Sequence, residues 1–356
     1  MSRFLSIKHK DLAAYTPGEQ PTDLKEYTKL NTNESPYPPP PDVLRAVTEQ
    51  EINNLRLYPN PDGSLLIEKI AKLYNVTAKN VIIGNGSDEL LAFAFHGLFH
   101  DKGVAFPDIT YGFYPVYAKL YGIDAMGISL RDDFTINVDD YKNIGKNIVI
   151  ANPNAPTGIA LSLNEIEEIL GSNPDTVVVI DEAYVDFGAD SAVSLIDKYD
   201  NLIVMHTFSK SRSMAGARMA YAIASPPLIE DLNKMKYSFN PYNVNRLTQA
   251  MSLAALDNEE YFEKKRKDII HERTQTAAVL KVLGFIMTDS KANFIFAKHP
   301  KISGLDLYTA LKEKGVLVRQ WNKPKISDYL RITIGSKTDM FVFNKTIKQI
   351  LEEHNA

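Results

Sequence analysis

Short, mostly β-branched apolar runs alternate with longer stretches of helical spacing through the middle of this chain. The runs at residues 81–83, 103–106, 147–151, 176–180 and 202–205 carry few polar side chains. A strand with one wet face alternates apolar and polar positions. A near-continuous run predicts a strand covered on both faces, as in a parallel sheet flanked by helices. Between two of these runs, Ser162-Leu163-Asn164-Glu165 has the form of a capping box that opens a helix carrying Ile166, Ile169 and Leu170 on one face. The alternation predicts an α/β fold, with a large doubly wound domain at residues 42–257 built on a mostly parallel sheet.

From residue 258 the pattern changes. A charged helix expected over 261–283 leads to the apolar run 294–297, a helix near 305–314, the run 330–334 and a last helix. This predicts a small α+β domain at 258–356. The first forty-one residues are rich in turn formers and end in Pro38-Pro39-Pro40-Pro41. Such a run cannot enter a helix interior or a central strand. Residues 1–41 are therefore expected to form an arm that packs with the small domain.

The chemistry collects where the runs stop. In an open α/β sheet, ligands sit beyond the carboxyl ends of the strands. The first run is followed by Gly84-Asn85-Gly86-Ser87-Asp88-Glu89, a glycine turn before a helix, where backbone N–H groups can converge on an anion or merely cap the helix. The second leads to Tyr111, an aromatic that could stack on a flat heterocycle or simply fill a core. The third leads to Asn152-Pro153-Asn154-Ala155-Pro156-Thr157-Gly158, rigid polar groups or a tight turn. The fourth ends in Asp181-Glu182-Ala183-Tyr184, and a carboxylate ending an apolar strand is costly without a cationic partner. The fifth ends in Thr207-Phe208-Ser209-Lys210, with Arg218 close behind. Lysine can bond an aldehyde cofactor, and arginine offers a planar fork to a phosphate dianion.

Assembled in this order, the motifs resemble the fold-type I aminotransferases that depend on pyridoxal 5'-phosphate (PLP), and within them the histidinol-phosphate aminotransferase family. The resemblance runs from Tyr15-Thr16-Pro17-Gly18 to Arg331-Ile332-Thr333-Ile334-Gly335. It includes the stretch from Leu30 to Tyr37, Tyr58-Pro59-Asn60-Pro61 and Pro241-Tyr242-Asn243-Val244-Asn245. It implies a PLP-dependent transferase fold, like that of aspartate aminotransferase. It implies Lys210 as the Schiff-base lysine and acid/base, Asp181 on the pyridine nitrogen, Tyr184 on the ring hydroxyl and Tyr111 on the ring face. Gly86, Ser87, Asp88, Ser209 and Arg218 would cradle the phosphate, with Tyr58 reaching it from the neighbouring subunit of a homodimer. Arg331 and Arg319 would take the substrate carboxylate or phosphate, and Tyr15 and Asn243 would line the substrate end. The family pattern places asparagine directly before Pro-Thr-Gly; here that position is Ala155, so Asn154 or Asn152 is expected to cover its role, or Tyr184 alone.

The activity so implied is transamination between L-histidinol phosphate and 2-oxoglutarate. An aromatic amino-acid aminotransferase or a threonine-phosphate decarboxylase would share the cofactor residues. Composition bears on what remains. The 356 residues are 44% apolar and 24% charged with net charge -4, giving no general pull toward nucleic acid or an anionic membrane. No basic DNA-reading module precedes the arm, which argues against an aminotransferase-like regulator. With no cysteine, disulfides and thiolate metal sites are excluded, and no metal is expected. No run has the form of a signal peptide or reaches membrane-spanning length, so a cytoplasmic location is expected.

Overall fold

A computed structural model describes residues 3–22 and 27–355; the remaining residues of the expected arm and of the last domain lie outside the described residues. The strands are, in chain order, β1 (Thr28–Lys29), β2 (Val81–Asn85), β3 (Val104–Pro107), β4 (Ala125–Ile128), β5 (Asn147–Ala151), β6 (Val178–Asp181), β7 (Leu202–Thr207), β8 (Met219–Ala224), β9 (Ile286–Met287), β10 (Phe294–Lys298), β11 (Val316–Leu317), β12 (Arg319–Gln320) and β13 (Leu330–Thr333).

Seven of them form one sheet in the order β2-β8-β7-β6-β5-β3-β4. The pairs β7–β6, β6–β5, β5–β3 and β3–β4 are parallel, whereas β8 runs antiparallel to both neighbours. The continuous apolar runs have the expected cause. Ile82, Val149, Val179, Ile203 and Met205 pack into a core on one face, while Ile83, Ile148, Ile150, Ile180 and Val204 pack into a core on the other. Each such side chain, fully withdrawn from water, contributes roughly 1.5–3 kcal/mol.

Two strands of this seven-stranded sheet do not appear among the apolar runs. β4 is an edge strand with mostly exposed side chains, and its sequence Ala125-Met126-Gly127-Ile128 lacks the β-branched character of the inner strands. β8 is fully buried, but its alternating alanines (Ala220, Ala222, Ala224) make a weak hydrophobic signal. The capping box forms as expected: the Glu165 N–H donates to Ser162 Oγ at 3.3 Å and the Ser162 N–H to Glu165 Oε2 at 2.7 Å, opening the helix Leu163–Ser172. The proline run ends by starting a helix, Pro41–Arg45, at the one helical position where proline loses nothing. The charged helix spans Glu259–Val282, and no helix among the described residues is long and apolar enough to cross a membrane.

A second, antiparallel sheet, β12-β13-β10-β9, carries its own core, built around Leu307, Leu330, Ile332 and Phe343. Leu30 of the arm joins that core, and β1 pairs in parallel with β11. Residues 28–30 are thereby tied to the small domain's core, and Thr32 just beyond them accepts from Lys210 at the edge of the large sheet.

Candidate active site

At the carboxyl edge of the large sheet, five chain segments bring side chains together. β2 ends at Asn85, and Gly86 at φ +79° turns the chain into the helix Ser87–Leu98, which starts three residues before the apolar face the sequence displays. Glycine is required here by the turn, and a Cβ on Gly86 would stand 2.5 Å from Arg218 Nη2 and displace the guanidinium. Arg218 belongs to this edge because β8 is antiparallel: its first residue, Met219, pairs with Asn85 at the end of β2. The Arg218 guanidinium meets Asp88 Oδ2 at 3.1 Å, and Tyr111 donates to Asp88 Oδ1 at 2.8 Å.

β6 ends at Asp181, which is buried. It accepts a hydrogen bond from Tyr114 Oη at 2.9 Å and one from the Ala183 N–H at 3.3 Å. Burial dominates these two bonds and pushes the Asp181 carboxyl up to about 6, with the nearby Asp88 adding to the rise. A carboxylate held this way favours any cation brought against it. Past β7, Lys210 Nζ donates to the Thr32 carbonyl at 3.3 Å and stands 5.7 Å from the centre of the Tyr184 ring. Tyr184 Oη accepts from Asn33 Nδ2 at 2.9 Å, which leaves its own proton free to donate. Ser209 is buried beside Thr207, whose hydroxyl donates to Ser209 Oγ at 2.9 Å.

Of these, Asp88, Tyr111, Asp181, Ser209, Lys210 and Arg218 are among the residues that line a recess of about 350 Å³. It shares Thr32, Asp88, Tyr111, Tyr184, Lys210 and Arg218 with a larger cavity of about 1000 Å³ that reaches the second sheet and the arm. There Arg331 Nη2 donates to the Asn31 carbonyl at 2.9 Å, and Arg319 donates to the carbonyls of Pro17 and Thr16, each at 3.2 Å. Burial, reinforced by Arg319, holds the Arg331 guanidinium below its usual value. Tyr15 stacks on Phe113 with ring centres 4.3 Å apart, and burial raises its phenol.

Asn152, Asn154, Asn243 and Gly86 are not among the residues that line the two cavities. Asn154 is committed to its own loop: it accepts from Thr110 Oγ1 at 2.7 Å and donates to the Ile109 carbonyl at 2.9 Å and Thr157 Oγ1 at 3.1 Å. Ala155 faces the recess in its place, and Asn152 is likewise bonded to Leu161. Asn243 is buried against Glu89 Oε2 at 2.5 Å. Tyr58 is exposed, stacked on Tyr242 at 4.4 Å, on the outside of this subunit. Conversely, Thr32, Asn33, Tyr114 and Trp321 belong to the site without having been singled out. Their place depends on the arm crossing the strand ends and on a helix turn aiming Tyr114 at Asp181, neither of which spacing reveals.

A lysine, a buried carboxylate and a helix N-terminus with an arginine beside it, set around one recess at the strand ends, are the donor set of an aldehyde cofactor carrying a cationic ring nitrogen and a phosphate. The chain belongs to the aminotransferase class I and II family, whose model matches residues 25–346. A curated relative named histidinol-phosphate aminotransferase, from Brachyspira hyodysenteriae, is 50% identical over 355 residues, covering 99% of this chain and 100% of its own. Among solved structures, the histidinol-phosphate aminotransferase from Clostridium acetobutylicum matches with a TM-score of 0.84 at 24% identity, covering 91% of this chain and 99% of that one. The enzyme of the same name from Sinorhizobium meliloti, solved in complex with pyridoxal-5'-phosphate, matches with a TM-score of 0.82 at 21% identity, covering 91% and 90%. These two likenesses concern the fold.

Proposed function

We propose that the chain is a PLP-dependent transaminase of histidine biosynthesis, exchanging an amino group between L-histidinol phosphate and 2-oxoglutarate to give imidazole-acetol phosphate and glutamate. The observation that carries this reading is the joined pair of compartments: a cofactor recess with Lys210 and Asp181, opening into a cavity with two arginines. The full-length relative at 50% identity supports the choice of substrate.

The residues present fit PLP. Lys210 would hold its aldehyde carbon, Asp181 its ring nitrogen and Tyr184 its ring hydroxyl. Tyr111 would cover the ring face. The N-terminus of the helix Ser87–Leu98, Ser209 and Arg218 would hold the phosphate. When bound, PLP supplies an electron sink that lets the amino-bearing carbon give up a proton.

The rest of the chemistry belongs to the chain. Lys210 Nζ, held near the sheet edge by the Thr32 carbonyl, would carry the proton between the substrate carbon and the cofactor. Asp181 would accept the hydrogen bond that keeps the ring nitrogen protonated, and Tyr114 Oη keeps that carboxylate oriented. Arg331 and Arg319 grip the carboxylate of glutamate in one half of the cycle and the phosphate of histidinol phosphate in the other, since a planar guanidinium suits both anions. The arm, carrying Tyr15 and the carbonyls that hold both arginines, covers the cavity and limits the access of water.

The reading includes the division into an arm (1–41), a large cofactor domain (42–257) and a small domain (258–356). It also includes a homodimer. Leu44, Leu55, Tyr58, Leu65, Phe239 and Tyr242 are exposed apolar side chains, Tyr58 stacked on Tyr242, and a second copy covering them would bring Tyr58 toward the neighbouring site. The test is initial-rate kinetics with L-histidinol phosphate and 2-oxoglutarate, with products identified by mass. Parallel double-reciprocal lines and stoichiometric glutamate support the proposal. Faster turnover of tyrosine or phenylalanine would make it an aromatic aminotransferase. Carbon dioxide release from threonine phosphate, without need of 2-oxoglutarate, would make it a decarboxylase.

A further inference from the structure

The cavity's two arginines create a problem that the fold has to solve. Arg319 and Arg331 are directly opposed across the antiparallel β12–β13 pair, so both guanidinium groups project from one face of the small sheet. Like charges opposed in this way repel. Among the described residues neither arginine makes an ion pair; their polar contacts are the arm carbonyls of Thr16, Pro17 and Asn31. Carbonyl oxygens orient a guanidinium without neutralising it. Two unneutralised cations aimed into a cavity would drift apart unless something holds their planes.

Trp321 is placed to do this. It follows Arg319 by two residues and lines the cavity, partly buried against the core below. The Arg331 guanidinium carbon lies 5.3 Å from the centre of its ring, and that of Arg319 lies 5.6 Å from it. Both are within cation–π range, for which an indole offers the strongest face of any side chain. Arg331 also lies 5.5 Å from the Phe294 ring, so its plane is fixed between two aromatic groups. No other tryptophan occurs in the chain.

We propose that Trp321 is a positioning residue for the anionic end of the substrate, its ring holding both guanidinium groups in place to converge on one carboxylate or phosphate. This inference rests on the reading that the two arginines receive the substrate's anion. Because they move or change charge environment when that anion arrives, the indole reports the event directly.

The test uses the PLP-loaded protein, in which the cofactor's own phosphate site is filled. Inorganic phosphate and, separately, 2-oxoglutarate are titrated while tryptophan fluorescence is followed, with calorimetry as an independent record of binding. The proposal predicts a saturable fluorescence change with the same midpoint as the heat. In Trp321→Leu, phosphate affinity should fall and the KM of both substrates should rise roughly tenfold, as for loss of about 1.4 kcal/mol. Most of the effect should lie in KM rather than kcat, and the visible spectrum of the bound cofactor should be unchanged. Trp321→Phe, which keeps a ring face, should recover most of the loss. Unchanged phosphate affinity and KM in the leucine variant would overturn the proposal. So would a silent indole while calorimetry records binding, or no binding of either anion. If the wild type fails to process L-histidinol phosphate yet responds to both anions, the substrate assignment falls and the role of Trp321 stands.

Discussion

Replacing Asp181 with asparagine isolates the cost of burying a charge at the bottom of the recess. In the protein alone, burial lifts this carboxyl from the ordinary 3.8 to about 6. Between those two values the folded protein binds a proton that the unfolded chain has released, so its stability falls as pH rises. At about 1.36 kcal/mol per pH unit, the full interval costs roughly 3 kcal/mol by neutral pH. Asparagine does not pay this penalty. Its carbonyl can keep the bond from Tyr114, but its amide would face the Ala183 N–H and forfeit that bond, at about 1 kcal/mol. Cofactor-free Asp181→Asn should therefore be less stable than cofactor-free wild type by about 0.5 kcal/mol at pH 4, and more stable by roughly 2 kcal/mol at pH 8. Urea unfolding at the two pH values measures both differences. With PLP bound the order at pH 8 should reverse, because a ring cation compensates the carboxylate and not the amide, and turnover should collapse. A gap between the two proteins that stays constant from pH 4 to pH 8 would refute the argument that Asp181 is a strained buried acid waiting for a cation.

Tyr114→Phe removes a bond that favours the Asp181 carboxylate, so the acid limb of cofactor affinity, which rises with pH as Asp181 ionises, should move to higher pH; fluorescence titration with PLP across pH 5–8 would show it. Gly86→Ala should cost roughly 1–3 kcal/mol in folding, from a backbone conformation that is essentially glycine's alone, while its Cβ pushes Arg218 aside and weakens PLP binding severalfold, read as cofactor loss on dialysis. Arg331→Lys loses the planar fork, so the KM for glutamate should rise roughly tenfold or more in steady-state assays while the bound-cofactor spectrum persists.

What was legible in the chain follows from the physics of its parallel strands. Buried on both faces, they read as unbroken apolar runs, and each polar residue that ends a run marks the sheet edge. Gly86, Asp181, Ser209 and Lys210 were found in this way. Arg218 sits at the same edge only because β8 runs backwards, and the alanines of that strand hide it from a hydrophobicity pattern. Arg319 and Arg331 lie on short strands of the second sheet, where spacing carries no hint of a shared cavity; the family resemblance pointed to them. Asn33 owes its place to contacts between chain segments three hundred residues apart, such as that with Thr333, and Trp321 owes its place to the pairing of the two short strands that carry Arg319 and Arg331. Asn154 went the other way: a polar residue at a strand end proved to be a brace for its own turn.

The central claim is that this recess carries an amino group from one substrate to another through Lys210 and PLP. The most direct measurement is the visible absorption of the PLP-loaded protein on adding L-histidinol phosphate alone, then 2-oxoglutarate. The account predicts that the band of the lysine-bound cofactor disappears in the first step and returns in the second, and that Lys210→Ala shows no such cycle. A band that ignores L-histidinol phosphate, or a Lys210→Ala protein that still cycles, would contradict it.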